Sequence, residues 1–485
     1  MEKARTNFVI WWEGIKSLPE TTSIHGFKFI ADSKRSLLER LFWLTFVSLS
    51  WYCSSLLIAA QYHSFVNNPI SFVVETTYKD WATYFPAVAV CENDNVPRIE
   101  VVSDGLWGSN HDFNIEEVLK ELAYYKGVAY YTAEFCDPKS PLPECFKDDI
   151  TYYANLVRSN CEATLSNCTW NGNLFDCCKY FRSIDTELGL CFAINSIQGR
   201  ERTPPKLNLA NNRTTGRGRL RFNVLVPANV YVLNKEEVPS ITTPGSDVMD
   251  VAAEIHRKRL ISIKDIENDA GARQVSPEKR KCRYTDENIL DVYRHYSYSA
   301  CTVQCRKRAQ LRICNCTNFN MPRVAEHLKC NISGVICINN NWNALSVLKA
   351  RWSSRSGLYC DCLPSCTEAE ISVVKDFKTS TDQEYAVVEV ELASLPSERY
   401  RRNVVRGLLD LVVSTGGTGG LFLGASLLSF VELFYILLGV RVPAKLFMGV
   451  SGERETGALS CEMVEGLNGV IVTRTEGVIG NVKSV

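Results

Sequence analysis

Histidine is scarce in this chain, six residues in 485, and none stands at the spacing that joins two cysteines and two histidines around zinc. The twenty cysteines therefore read as something other than zinc ligands. Net charge is absent too. The 54 Lys and Arg balance the 54 Asp and Glu, so nothing points to nucleic acid or to a basic membrane-binding surface. No Gly-x-Ser-x-Gly elbow, His-Glu-x-x-His pair or Walker loop occurs, so the chain does not read as an enzyme and no cofactor is expected. Met1–Glu20 carries charges and no continuous apolar core, unlike a cleavable signal peptide. Finally, Leu41–Tyr62 contains no charged residue, and no Lys or Arg falls between Arg406 and Arg441.

What is present fits an exported protein. Eighteen cysteines fall between Cys91 and Cys366, leaving only Cys53 and Cys461 outside. Four Asn-x-Ser/Thr sequons, at Asn167, Asn212, Asn315 and Asn331, fall in the same region. Dense, even cysteines with sequons indicate an oxidising, glycosylating compartment. Without a signal peptide, export needs an internal membrane segment. Leu41–Tyr62 supplies one, since its 22 residues span roughly 33 Å as a helix. Leu408–Val440 holds two acids and no base over 33 residues, about 50 Å as one straight helix, so it must tilt, protrude or break. Lys28, Lys34, Arg35 and Arg40 precede the first segment, and Arg441 and Lys445 follow the second, which places both termini in the cytoplasm. The expected organisation is a cytoplasmic 1–40, a span at 41–62, an extracellular 63–402, a second span at 403–440 and a cytoplasmic 441–485.

Inside the extracellular region, Phe85–Val90, Leu190–Ile194, Leu220–Val226 and Tyr385–Leu392 read as strands of a central sheet. Asn114–Tyr125, with Asn114 as N-cap, and Ser299–Cys314 read as helices. Cys301 and Cys305 share a helix face; Cys360 and Cys362 share a face of an extended segment. A ladder between them is possible, but spacing leaves the connectivity open.

The glycines of "STGGTGGLFLGASLLSFVELF" (Ser414–Phe434) stand where a membrane helix can least use them. Gly416, Gly420 and Gly424 recur at i, i+4, i+8, as do Asp410, Ser414 and Thr418. The first row suits close helix packing, and the second suits a wet face. A break is expected at Gly424-Ala425-Ser426. Glu432, six residues past Ser426, is a membrane acid and so a functional candidate.

These residues resemble the degenerin and epithelial sodium channel superfamily, which includes the acid-sensing channels. The blocks that carry the likeness are "TSIHGFKFI" (Thr22–Ile30), "FPAVAVCE" (Phe85–Glu92), "GLCFAIN" (Gly189–Asn195), "YSYSACTVQCRKRAQLRICNCTNFNMP" (Tyr296–Pro322), "CDCLPSC" (Cys360–Cys366) and "GLFLGASLLSFVELF" (Gly420–Phe434). They occur in family order over nearly the whole chain, and look most like insect pickpocket channels.

The resemblance implies an α+β membrane protein. Two transmembrane helices bracket a disulfide-rich ectodomain, with a β-sheet palm, a helical finger and a helical thumb at about 282–366, in a homo- or heterotrimer at the plasma membrane. It implies the pairs Cys91–Cys191, Cys282–Cys366, Cys301–Cys362, Cys305–Cys360, Cys314–Cys337 and Cys316–Cys330. Cys136, Cys145, Cys161, Cys168, Cys177 and Cys178 stay unassigned.

The function implied is an amiloride-sensitive, sodium-selective or weakly selective cation channel opened by an extracellular chemical or mechanical stimulus. Its selectivity filter is Gly424, Ala425 and Ser426. Asp410, Ser414, Thr418 and Glu432 line the pore. His25, Gly26 and Ser414 (or Val413) govern gating. The alternative is a non-conducting or obligately heteromeric subunit; a two-pass adhesion or receptor protein would need neither Gly424–Ser426 nor Glu432. Two family features are missing. No proline follows Pro443 to make a Pro-Pro-x-Tyr motif, and "EKRKCRY" puts charge where the acid-sensing channels carry an aromatic before the first thumb cysteine, with Tyr284 the nearest ring. Sodium ions and the lipid bilayer are the partners implied; the extracellular ligand stays open.

Overall fold

The computed structural model describes residues 24–431, apart from 33, 68–69, 77–80, 138–144, 146–148, 202–204, 206, 405–406 and 430. Glu432 and the expected cytoplasmic tail lie outside the described residues. The chain divides into two compact units, one of residues 55–417 and one joining 1–54 with 418–485.

Among the described residues, the two largest sheets of the larger unit carry its main core. The first has five strands in the order Val248–Val251, Ala228–Leu233, Ala87–Glu92, Gly189–Ile194 and Arg182–Thr186. The second has six, in the order Glu370–Ser380, Ile255–Lys264, Ala386–Leu392, Arg219–Val224, Leu165–Trp170 and Asn173–Leu174. The four strands expected in one central sheet are therefore split between two. Alternation decides which side chains turn inward but not which strand lies alongside, so the partner was not readable.

The inward side chains meet between the sheets. Val88, Val90, Phe192, Ile194 and Val230 from the first pack with Leu220, Phe222, Val388 and Val390 from the second. The alternate residues Ala89, Cys91, Ala193 and Tyr231 turn the other way, onto Ala300 and Val303 of the helix Tyr298–Cys314. Ala87–Glu92 is thus covered on both faces, which is why it reads as an unbroken apolar run.

A second core lies under the helices Val96–Trp107, Phe113–Ala123 and Ile150–Val157. There Ile115, Val118, Leu119 and Leu122 recur at helical spacing and are fully buried. Asp112, not Asn114, caps the middle helix, and its side chain accepts the Asn114 N–H at 2.9 Å. Asn114 is already helical there.

Nine disulfides staple this unit. Six are the pairs that the resemblance implies; Cys136–Cys145, Cys161–Cys178 and Cys168–Cys177 join the six cysteines left unassigned. Each sequon asparagine lies in this unit. Asn167 and Asn315 are exposed, and the side-chain oxygens of Asn212 and Asn331 accept from Thr214 and Gly334 N–H groups, which leaves their amide nitrogens for a glycan.

The apolar helix Leu37–Asn67 crosses the division between the units. Its 31 residues and a window of mean hydropathy 1.6 make it long and apolar enough to span a bilayer. It exceeds the expected Leu41–Tyr62 at both ends. The second apolar helix, Leu408–Leu423, has 16 described residues.

Candidate functional site

The helix Leu408–Leu423 stops at a glycine that takes a left-handed conformation, Gly424 at φ 62°. Residues 424–426 are non-helical, and a short turn resumes at Leu427. Its start is fixed by two serines that cap each other. The Ser426 N–H donates to Ser429 Oγ at 3.0 Å, and the Ser429 N–H donates to Ser426 Oγ at 3.2 Å.

A helix end leaves carbonyls for which the helix itself supplies no partner. Here the N-terminal part of the same unit does. Ser50 Oγ donates to the Phe422 carbonyl at 2.6 Å, and the His25 N–H donates to the Leu423 carbonyl at 3.0 Å. The His25 imidazole then lies against Gly424, in the space that a Cβ there would need. Gly26, at φ 89°, is equally restricted, because a Cβ on it would strike Val47. Phe29 stacks on Trp43 at 4.5 Å and Phe27 meets Trp51 edge-on at 6.4 Å, which holds the His-Gly turn against the apolar helix.

The structure thus brings together His25, Gly26, Gly424, Ala425 and Ser426. The sequence marks both glycine motifs but gives no sign that they touch. Ser50 belongs to the hydroxyl-bearing residues of the first apolar segment that suit a face packed on protein, but the sequence does not name the carbonyl it binds. Ser426 is exposed and Ala425 buried. Asp410 and Ser414 lie exposed on the preceding helix, while Thr418, next in that row, is only 8% exposed. Asp410 also has a local role: in the first helical turn it accepts the Gly407 N–H at 2.9 Å and complements the helix dipole.

In the larger unit, the charged segment before Cys282 forms the short helix Pro277–Arg280. Lys279 Nζ stands 5.8 Å over the ring of Phe65, near the end of the helix Leu37–Asn67. Behind it, Arg273 and Arg280 lie 4.2 Å and 4.7 Å from the Tyr284 ring, which is buried. A cation on an aromatic therefore joins this segment to the apolar helix, where the acid-sensing pattern led one to look for a ring.

A buried carboxylate lies at the base of the helix Tyr298–Cys314. Glu237 accepts the N–H groups of Tyr298 and Ser299 at 3.1 Å and 2.9 Å. Burial, with Glu368 and Glu236 nearby, pushes its pKa up to about 7, although the Ser299 hydrogen bonds act against this. The folded state thus binds a proton that the unfolded chain holds only below the ordinary value of 4.5. Its contribution is complete below that value and is lost as pH rises through 7, on the order of 3 kcal/mol at most. Solubilised protein is expected to melt several degrees higher at pH 5 than at pH 8, and Glu237→Gln to shrink that difference. An unchanged difference in the variant would put the proton elsewhere.

The family model described as amiloride-sensitive sodium channel matches residues 18–436. Sodium channel protein Nach of Drosophila ananassae is 22% identical, over 86% of this chain and 84% of that protein. Pickpocket protein 28 of Drosophila melanogaster is 25% identical, over 86% of this chain and 77% of that protein. Acid-sensing ion channel 4 of Mus musculus is 29% identical over 30% of this chain and 29% of its own length.

Proposed function

This chain belongs to the amiloride-sensitive sodium channel family, and on that premise we propose that it is a subunit of a trimeric plasma-membrane channel that passes sodium when an extracellular stimulus opens it. Each subunit crosses the membrane twice with both termini inside. Three copies of the Gly424–Ser426 break, one per subunit, form a narrow ring of carbonyls and Ser426 hydroxyls that replaces part of the ion's hydration shell. Asp410, Ser414, Thr418 and Glu432 line the rest of the path, and the two acids favour cations. No base occurs from Gly407 to Val440 to oppose them.

The observation that carries this reading is the non-helical stretch after Leu423, where Ser50 and His25 take up the Phe422 and Leu423 carbonyls of the preceding helix end. Irregular backbone in an apolar segment is tolerated only inside protein or beside water. His25 and Gly26 then set the gate by holding that stretch, and Lys279 on Phe65 gives the extracellular unit a handle on the first membrane helix.

Ser414→Val provides the test, because a bulky side chain at the narrow part of the helix bundle props it open without the unknown stimulus. Two-electrode recording is expected to show a constitutive inward current that amiloride blocks and that vanishes when a large organic cation replaces sodium. Silence despite surface delivery, reversed by co-expressing a related subunit, would replace the conducting homomer with the obligate-partner reading.

A further inference from the structure

One histidine joins two helices at a corner of the larger unit. His111 lies between the end of Val96–Trp107 and the start of Phe113–Ala123. Its Nδ1 is 2.7 Å from the Gly108 carbonyl oxygen, and its Nε2 is 2.6 Å from Glu116 Oε1. A carbonyl and a carboxylate both accept, so both ring nitrogens must donate. A neutral imidazole carries one N–H, and an imidazolium carries two. A neutral ring satisfies this geometry only if Glu116 takes the proton instead. Either way, His111 and Glu116 hold one proton more than a neutral ring beside a carboxylate.

The surroundings favour keeping it. The charged groups facing the ring are Asp104, with Oδ1 3.6 Å from Nδ1, and Glu116 from the following helix, both acidic. Trp107 lies beside the ring at 6.1 Å, and the His111 side chain is 6% exposed. The Gly108 hydrogen bond chiefly, then Glu116 and Asp104, raise the pKa above the ordinary 6.5, against the opposing effect of burial.

The two contacts fall on different helices. Gly108 is the C-cap of the first, at a positive φ of 83°, and Glu116 lies in the first turn of the second. Their apolar faces share one core through Ile99 and Ile115.

We propose that this corner is a pH latch, closed while His111 and Glu116 share the extra proton and released when alkaline pH removes it. With a folded-state pKa above 6.5, the latch is complete below 6.5 and is lost as pH rises through the raised value. Only the side of the membrane on which it acts, the outside, rests on the proposed channel topology.

Hydrogen exchange on the full chain in detergent micelles tests it without reference to current. Rates at pH 6 and pH 9, corrected for intrinsic exchange, are compared for peptides covering 104–119 and for the internal strand 87–92. Wild-type protection of the corner is expected to fall about tenfold more than that of the strand. His111→Gln should be weakly protected at both pH values. Glu116→Gln should stay protected at both, because its amide can donate to Nε2 while Nδ1–H keeps the Gly108 carbonyl, so a neutral ring suffices. A corner in the wild type that follows the strand at both pH values overturns the latch. So does a Glu116→Gln variant that loses protection at pH 9 as the wild type does, an outcome that decides the matter even where His111→Gln fails to fold.

Discussion

Gly424→Ala is expected to cut the sodium current of Ser414→Val channels to below a tenth, with normal surface delivery. Two effects act together. A residue with a Cβ in the left-handed region costs about 1–2 kcal/mol, and the Cβ would also enter the volume of the His25 imidazole. The chain relieves this by moving His25 away, which breaks the His25 N–H bond to the Leu423 carbonyl, or by straightening the stretch into helix, which closes the carbonyl ring. Both outcomes disable the proposed filter while leaving the disulfide-stapled unit intact. Gly105→Ala, where a Cβ meets open space, is the matched control and should conduct normally. If overlap with His25 dominates, adding Gly424→Ala to His25→Ala channels should cost less than adding it to the parent. Gly424→Ala channels with parental current would show that the left-handed turn at this glycine is dispensable.

Arg306→Met carries the largest expected loss of stability. Arg306 and Glu187 are completely buried, and Arg306 Nη1 is 2.6 Å from Glu187 Oε2. The guanidinium also donates to the Leu345 carbonyl at 3.1 Å, and Glu187 accepts the Ile241 N–H at 2.8 Å. The pair therefore ties the helix Tyr298–Cys314 to the turn after the strand Arg182–Thr186 and to the loop at Ile241. Removing one partner strands a buried charge, at a cost of about 3–5 kcal/mol. Arg306→Met is expected to abolish surface delivery and lower the melting temperature, and Glu187→Gln to do nearly the same. The double variant Arg306→Met with Glu187→Leu should recover part of the loss, because two apolar groups leave no unpaired charge. Near-normal melting of Arg306→Met alone would mean that water or local rearrangement replaces the lost partner.

How far the sequence reaches depends on the range of the interaction concerned. Local patterns were readable. The apolar run of Phe85–Val90 marks a strand buried on both faces, and the glycine at 424 marks the end of a helix. Interactions between distant segments were not. Four strands that read as one sheet fall in two, because alternation carries no address for the partner. Asn114 reads as a cap from the sequence, but Asp112, two residues earlier, has the same chemistry and the better position. The ladder of Cys301 and Cys305 with Cys362 and Cys360 was visible as matched spacing, but only family likeness chose among the pairings. His25 against Gly424 joins nearly opposite ends of the chain, and each motif alone looks like an ordinary turn. The meaning of His111 lies in two acceptors that face it at once, which no local pattern shows.

The central claim, that sodium passes the Gly424–Ser426 stretch of this chain, is tested most directly by cadmium block of Ser426→Cys in the Ser414→Val background. A thiol in the ring binds a soft divalent cation strongly. Current through the double variant is expected to be blocked at cadmium concentrations at least about tenfold below those needed for Ser414→Val alone, with block relieved by chelation. Equal cadmium sensitivity of the two channels, with both conducting, would place the ion path away from Ser426 and contradict the account.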